Sequence, residues 1–273
     1  MRTAVASSLA GGAFIGLLMA THPAAAQSPP SEDPHRERTG SNVLDRAEES
    51  EGSPVEQPGE TYYFVGARYR AIVVPAFMIN LFGEGGKTVV VHSAGPEFGI
   101  RKDGFETNLS MWFASYHMDD TAFKAKDDPP EAYEIVQSKI KVLYLTSDFL
   151  WSSDISPEFA INYGLGAGFG FVFGKLYRTQ AWPAQGANAD PDTFEKCDGP
   201  NNPPNTWCGN DNDHYDGYTE PSWANGGSKP VIFPWLALQT GVRIKPHRNF
   251  AGRIDLGFGT SGFFFGLGGD YGL

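Results

Sequence analysis

Two residues with the chemistry for nucleophilic catalysis, His92 and Ser93, are adjacent in this sequence of 273 residues. A serine nucleophile requires a base such as histidine within hydrogen-bonding distance. Neighbouring side chains on a β-strand point to opposite faces, so these two cannot form that pair with each other on a strand. His117 and His214 lie in predicted loops without an evident serine and acid partner. We therefore predict no catalytic site.

The acidic run DNDHYDG, residues 211–217, carries oxygen ligands suited to calcium at Asp211, Asp213 and Asp216. Its spacing misses the EF-hand pattern, which also requires a glutamate at the twelfth position. We interpret the run as a solvated acidic turn, and we predict neither a metal site nor a cofactor.

The chain contains two cysteines, Cys197 and Cys208. Two thiols at this spacing, without nearby histidine pairs, do not build a zinc site. Cysteines of an exported protein meet an oxidising compartment, where a disulfide is the default state. We therefore predict a disulfide between them, provided that the chain is exported.

The N-terminal sequence indicates export. Residues 1–26 combine Arg2, an apolar run and small residues at 24–26, which is the order of a cleaved secretory signal peptide. The alternative is a single membrane anchor, but the apolar run is short and interrupted by glycine. Residues 27–59 are rich in Pro, Ser and Glu and contain almost no large apolar residue. We predict that they form a disordered acidic periplasmic segment.

The net charge and the amino-acid composition limit the class of protein to which this chain can belong. The formal net charge is −11, which argues against a nucleic-acid-binding protein because such proteins carry a basic face. The chain contains 33 glycines, 20 phenylalanines and 11 tyrosines. This combination is typical of β-structure with tight turns or close-packed walls.

After Glu60 the side chains alternate with period two, as they do on β-strands. The clearest run, Phe159–Gly174, places apolar residues on one face and small or polar residues on the other. Similar runs occur in YYFVGARYRAIV, GFETNLSMWFASY, PWLALQTGVRIK and NFAGRIDLGFGT. Together with two less regular segments and the C-terminal stretch, they predict about eight strands. No stretch after the signal approaches the length of a transmembrane helix.

The connections between these strands differ in length. Short turns are predicted at residues 101–104, 152–158, 245–249 and 260–262, and longer loops at about 73–87, 117–138 and 176–231. Long loops at one end and short turns at the other are typical of an outer-membrane barrel. The longest loop also holds aromatic residues suited to recognition. These candidate recognition residues are Trp182, Trp207, Tyr215, Tyr218 and Trp223.

Alternation alone fits a soluble barrel with an apolar interior or a membrane barrel with an apolar exterior. The composition of the other face distinguishes the two architectures. Its many glycines would weaken a water-facing strand, but they would make room for charges inside a narrow barrel. Its charges nearly balance, as an internal ion-pair network requires. They are Arg68, Arg70, Glu97, Glu106, Asp148, Arg243, Arg253, Asp255 and Asp270. We predict an all-β fold, an eight-stranded antiparallel transmembrane β-barrel over residues 60–273 with one long extracellular loop.

With this signal peptide, strand pattern and loop asymmetry, the sequence resembles the small outer-membrane β-barrel proteins of Gram-negative bacteria, of the OmpA transmembrane-domain and OmpX type. Proteins of that class end on a strand with apolar alternate residues, which the barrel assembly machinery reads. Here those positions hold Phe263, Phe265, Leu267, Gly269, Tyr271 and Leu273. The resemblance implies a location in the cell outer membrane, in contact with its lipid and lipopolysaccharide. Phe264, on the inward face, either fills the lumen or marks a bulge.

Two features bear on function. An eight-stranded barrel is just wide enough for side chains to fill, so we interpret the lumen charges as a plug of salt bridges rather than a solute path. Loop 176–231 is too long for an idle connection, and it either contacts a surface partner or covers the barrel mouth. We expect a non-enzymatic structural, adhesive or surface-interaction role. The alternatives are a narrow porin-like channel for small solutes and a lipid-modifying enzyme.

Overall fold

Antiparallel β-sheet accounts for most of the chain in the computed structural model, which describes residues 56–209 and 214–273. The strands are β1 (Thr61–Val74), β2 (Gly83–Glu84), β3 (Val89–Lys102), β4 (Phe105–Ala125), β5 (Glu134–Asp154), β6 (Phe159–Trp182), β7 (Glu195–Lys196), β8 (Ile232–His247), β9 (Phe250–Gly259) and β10 (Gly262–Gly272). One α-helix, Ala76–Ile79, follows β1, and short 3-10 turns lie at Pro130–Ala132, Pro191–Thr193 and Trp223–Asn225. The predicted signal peptide and most of the acidic segment lie outside the described residues.

The eight long strands close into a ring in the order β1, β3, β4, β5, β6, β8, β9 and β10. Every neighbouring pair is antiparallel, and β10 returns to pair with β1, for example Leu267 with Tyr69. β4 also pairs with β5, from Phe105 with Trp151 to Phe123 with Glu134, which joins the two ends of the strand order. The predicted eight-stranded barrel is therefore confirmed. No helix among the described residues is long and apolar enough to cross a membrane.

Alternate side chains sort by polarity across the barrel wall. Outward positions carry large apolar residues that are 37% to 69% exposed, such as Phe105, Phe171 and Leu238. Between Lys102 at the short-turn end and Lys141 at the long-loop end, no outward position of the eight described ring strands carries Asp, Glu, Lys or Arg. Charged side chains are common on a surface that faces water, but they are destabilising on a wall that faces the hydrocarbon of a bilayer. The outer wall of this barrel therefore has the composition of a lipid-facing surface.

The C-terminal strand follows the predicted register. Phe263, Phe265 and Leu267 face outward, each more than 40% exposed, while Phe264 is only 3% exposed inside the barrel. Phe264 pairs with Gly257 without a shift in register, and a Cβ at Gly257 would collide with its ring. The ring of Phe264 therefore fills the lumen, and β10 has no bulge at this residue.

Three strands are longer than the sequence predicted. β4, β5 and β6 contain 21, 21 and 24 residues, so most of the predicted loop 117–138 and the first part of loop 176–231 are strand. The alternation breaks in β4, where the register shifts between Met118 and Thr121, and this irregularity concealed the extension. Because β9 and β10 stop at Gly259 and Gly262, these three strands rise above the rest of the wall at the long-loop end. Residues 176–231 are called the cap below, and within their described part β7 pairs with the end of β6.

Candidate functional site

The nine charged residues predicted to face the lumen all lie inside the barrel, each at most 6% exposed. Arg253 occupies the centre of one group: Nη1 lies 2.5 Å from Glu106 Oε1, and Nη2 contacts Glu97 and lies 3.4 Å from Asp270 Oδ2. One guanidinium thus neutralises parts of three carboxylates, which its forked geometry allows.

A second group forms around Asp148, which is fully buried. Its Oδ2 accepts from Nη1 of Arg68 and, at 2.7 Å, from Nη2 of Arg70. Arg68 also places Nε 3.0 Å from Glu97 Oε2 and Nη2 3.8 Å from Asp255 Oδ2. Glu97 therefore joins the two groups into one continuous network.

Sequence reasoning missed three members of this network. Carboxylate oxygens of Glu56 lie 2.7 Å from Arg101 Nε, 3.2 Å from Arg243 Nη1 and 3.1 Å from Lys245 Nζ, so these residues meet at the short-turn end. Arg101 and Lys245 were assigned to turns, and Glu56 to the disordered segment, although its last residues are held against the barrel by Gly59 N–H donating to Asp103. With these additions the network contains, among the described residues, six basic and six acidic side chains. They are Arg68, Arg70, Arg101, Arg243, Lys245, Arg253, Glu56, Glu97, Glu106, Asp148, Asp255 and Asp270.

Glycines on the facing strands make this network possible. A Cβ at Gly166 would collide with the carboxylate of Asp148, and a Cβ at Gly66 would collide with that of Asp270. The inward glycines are therefore needed for space at positions where the neighbouring strand carries a lumen charge.

Aromatic rings form a layer on the long-loop side of the charges. Tyr144 stacks on Trp112 with centroids 4.0 Å apart, and Trp235 meets both rings edge-on at 5.6 and 5.0 Å. The guanidinium of Arg70 lies 5.3 Å from the Trp235 ring and 4.9 Å from that of Phe264, within cation–π distance. Ion pairs and rings together fill the cross-section of the barrel.

The candidate catalytic residues do not form a pair. Ser93 faces inward and donates from Oγ to the carbonyl of Arg70 at 3.0 Å, whereas His92 is exposed on the outside beside Tyr69. His117 lies 3.2 Å from Asp119 on the surface, and His214 contacts Glu134 in the cap. Asp211 and Asp213 of the acidic run lie outside the described residues, so the solvated turn stays a prediction.

The predicted disulfide is present in the cap. Cys197 and Cys208 are bonded and buried, at 3% and 0% exposure, with Tyr215 packed in the same cluster. Tyr215 Oη donates to Gln180 Oε1 of β6 at 2.7 Å, and Cys197 N–H donates to the Gln180 carbonyl at 2.8 Å. The bridge is therefore attached to the extended part of β6.

The five candidate recognition residues differ in exposure. Tyr215 is buried, with Trp182 packed against it, and Trp207 and Tyr218 are half-buried: Trp207 meets Phe194, and Tyr218 stacks on His214 with centroids 3.9 Å apart. Trp223 is instead 59% exposed, and its Nε1 donates to the Ser228 carbonyl at 2.9 Å. Of the five, Trp223 presents the largest accessible surface, on a turn that fixes its direction.

Glu220 holds this turn to the barrel. Its Oε1 accepts from the backbone N–H and hydroxyl of Ser228, both at 2.7 Å, and its Oε2 from Arg178 Nη1 at 2.8 Å. Arg178 in turn contacts Glu134 of β5. Burial by itself raises the pKa of Glu220, but the hydrogen bonds from Ser228 and Arg178 outweigh it and hold that pKa below its ordinary value.

We expect the Trp223 turn to lose order in acid. A carboxylate with a lowered folded pKa contributes stability that is fully present above its ordinary value of 4.5 and is lost as the pH falls through the folded value. The indole N–H resonance of Trp223 in NMR spectra should therefore shift and broaden below pH 4.5. Glu220→Gln should abolish this dependence, and an unchanged transition in that variant would contradict it.

Removing the disulfide should loosen the cap and spare the barrel. A bridge across 11 residues restricts the unfolded loop by about 3 kcal/mol in the entropic account. In Cys197→Ser/Cys208→Ser, external protease should cleave the cap much faster, while the heat-dependent gel mobility of the folded barrel stays unchanged. Equal cleavage of the variant and the native protein would show that the bridge does not order the cap.

A closed ring of eight antiparallel strands, with an apolar band free of charge on its exterior and a charged interior, defines a small transmembrane β-barrel of the outer-membrane class. No family model matches the chain, and no curated protein matches it. The chain is similar to the solved structure of Ail, the attachment invasion locus protein of Yersinia pestis, in complex with the heparin analogue sucrose octasulfate. That similarity has 11% identity and a TM-score of 0.36, over 80% of this chain and 100% of Ail.

Neisserial surface protein A, NspA, is similar at 9% identity and a TM-score of 0.36, over 77% of this chain and 96% of that one. The translocator domain of the autotransporter NalP from Neisseria meningitidis is similar at 7% identity and a TM-score of 0.18, over 80% of this chain and 88% of that one. Such low scores carry no information about activity. The function of this chain therefore has to be argued from its own side chains.

Proposed function

We propose that the protein is a non-enzymatic outer-membrane β-barrel that presents the cap at the cell surface for contact with a partner. The observation that carries this proposal is the ordered turn of Trp223, an exposed aromatic side chain on a disulfide-bridged cap. Fixed, exposed aromatic residues are typical anchors of binding interfaces. Because ion pairs and rings occupy the lumen, we place contact with a soluble partner at the surface of the cap.

The lipid environment fits this orientation. Lys139, Lys141 and Lys175, called the basic rim below, are exposed on the outer wall just beyond Phe113 and Phe173. At that level the outer leaflet of an outer membrane carries phosphate groups, which lysine binds as a point charge. We infer that the basic rim contacts lipopolysaccharide, that the long-loop end is extracellular, and that the assembly machinery engages β10. Residues 1–26 would supply the export signal.

The charge of the cap indicates the chemistry of the partner. Residues 176–231 contain three basic and eight acidic side chains. Complementary charge accelerates association and selects between partners. We therefore propose a partner with a basic surface, bound around Trp223.

Whole-cell binding tests this proposal. Cells displaying the native chain are compared with cells displaying Trp223→Ala and with cells displaying a shortened chain. In the shortened chain a short Gly-Ser turn replaces residues 176–229. The two ends of this segment are close together, because Lys229 Nζ donates to the Gly174 carbonyl at 2.8 Å. The probes are purified extracellular proteins of graded isoelectric point, with neutral and acidic polysaccharides. We expect salt-sensitive binding of basic proteins that is lost with the cap and at least tenfold weaker in Trp223→Ala. Equal binding of every probe by all three chains would overturn the proposal.

A further inference from the structure

A cavity of about 400 Å³ lies inside the barrel, between the aromatic layer and the loop of residues 75–88. Its walls are mostly aliphatic and come from five strands and the start of β8. They include Val89, Val136, Ile140, Val142, Val172 and Phe233. The volume is in the range of small-molecule sites. Leu176 and Pro230 of the cap also line it, whereas Trp223, on which the proposed function depends, does not.

The polar groups at the bottom of this cavity bond mainly to one another. Tyr144 Oη lies 2.8 Å from Tyr116 Oη and 3.5 Å from Ser261 Oγ, and the Ser138 hydroxyl donates to the Tyr116 carbonyl at 2.6 Å. Water needs two to four polar partners to occupy a cavity stably. The mostly apolar walls offer few partners to hold water, so the cavity suits an apolar occupant.

One side of the cavity is weakly closed. The backbone pairing of β3 with β4 ends at Ser93 and Ala114, although β3 extends to Val89 and β4 continues past Tyr116. Within residues 56–209 and 214–273, no further backbone pair joins these two strands toward the long-loop end. Val89 and Tyr116, which flank this seam, both line the cavity.

The surface next to the seam combines apolar and basic groups. Phe77, Leu81 and Phe82 of the adjoining loop are 60%, 61% and 73% exposed, while Ile79 of the same loop lines the cavity. On the other side, Ser115 and His117 of β4 pair with Lys141 and Lys139 of the basic rim. An amphiphile at this level would find an apolar passage inward and cations for its head group.

We propose that the cavity binds a single n-alkyl chain of an anionic amphiphile, which enters between β3 and β4 while its head group stays at the basic rim. A methylene group takes up about as much space as a water molecule, ~30 Å³, so the cavity holds a chain on the order of ten carbons. The chain belongs either to a free fatty acid or to a lipid of the outer leaflet, which share this chemistry.

Equilibrium binding of radiolabelled dodecanoic acid tests the proposal, with the full chain folded in a steroid-based detergent that has no alkyl chain. We expect saturable binding of one molecule per barrel. Ile140→Trp and Val172→Phe, which fill the cavity, should each weaken it at least tenfold. Leu143→Trp, an outward position on β5, is the matched control and should bind as the native protein does. Folding of each variant is checked by heat-dependent gel mobility.

A parallel arm uses dilauroyl phosphatidylglycerol as competitor. If the phospholipid displaces the fatty acid, the site accepts a bilayer lipid; if only free fatty acids compete, the ligand is a free amphiphile. Both outcomes support the alkyl site. Absence of saturable binding to the native protein, or equal binding by the filled variants and Leu143→Trp, would overturn it.

The access route has its own test. His92→Cys/Ser115→Cys places thiols across the seam, one position beyond the last backbone pair. Oxidation should slow loading of dodecanoic acid at least tenfold, and reduction should restore the rate, relative to the single variant His92→Cys. Unchanged loading in the oxidised double variant would overturn the route between β3 and β4.

Discussion

Replacing Arg253 by alanine is expected to destabilise the barrel by about 3–5 kcal/mol, the cost typical of breaking a buried ion pair from one side. Arg253 contacts Glu97, Glu106 and Asp270 inside the lumen, and it is 2% exposed. Its removal leaves buried carboxylates without their main cation. The penalty arises from this uncompensated charge rather than from lost attraction alone.

Urea unfolding of the barrel in lipid vesicles, followed by tryptophan fluorescence, measures this loss. Arg248→Ala is the matched control, because Arg248 is exposed in the turn between β8 and β9, and it should change stability by less than about 0.5 kcal/mol. Arg253→Lys keeps the charge without the fork and should give an intermediate loss, even if the alanine variant does not fold. Equal midpoints for Arg253→Lys, Arg248→Ala and the native chain would contradict this account of the lumen.

Trp235→Ala is expected to cost about 3–5 kcal/mol by creating a cavity in the aromatic layer. The Trp235 side chain is fully buried and contacts the rings of Trp112, Tyr144 and Phe264 and the guanidinium of Arg70. The strands on either side are fixed by their backbone ladders, so they cannot collapse into the space that alanine leaves.

Trp223→Ala removes the same side chain from the cap surface and provides the control. It should leave the unfolding midpoint of the barrel within about 0.5 kcal/mol of the native value, while reducing partner binding as proposed above. The same urea titration in vesicles compares the two variants. Because each variant lacks a tryptophan, unfolding is followed by the direct fluorescence of a dye attached to the turn between β3 and β4. Similar destabilisation by both substitutions would show that the aromatic layer does not support the barrel.

The parts of this fold that alternate in polarity could be predicted from the sequence. Because side chains on a strand point in and out by turns, Phe263 and Asp270 were assigned to opposite faces, and the structure places them so. The glycines also indicated which face is inside, since a narrow interior needs glycine where the neighbouring strand carries a charged side chain. Closure of the ring followed from the need to pair every backbone group in lipid.

Other features depend on contacts that leave no local pattern. Glu56 enters the network from a segment whose composition indicates disorder, and its partners Arg101 and Lys245 occupy positions that read as turns. The long extensions of β4 to β6 lie beyond the charge-free band of the outer wall, and they lack the apolar alternation that marks a membrane strand. Tyr215 and Trp207 were predicted as recognition residues, but the cap uses both in its own interior. Only the folded chain distinguishes them from Trp223.

We propose that the lumen is plugged and that the protein therefore acts through its surfaces. Recording from the purified native chain in planar bilayers tests this claim most directly. The filled cross-section of ion pairs and rings predicts a flat baseline without steady openings, and Trp223→Ala, which leaves the lumen intact, should give the same baseline. Steady, reproducible openings of the native protein would contradict the account and would favour a narrow channel.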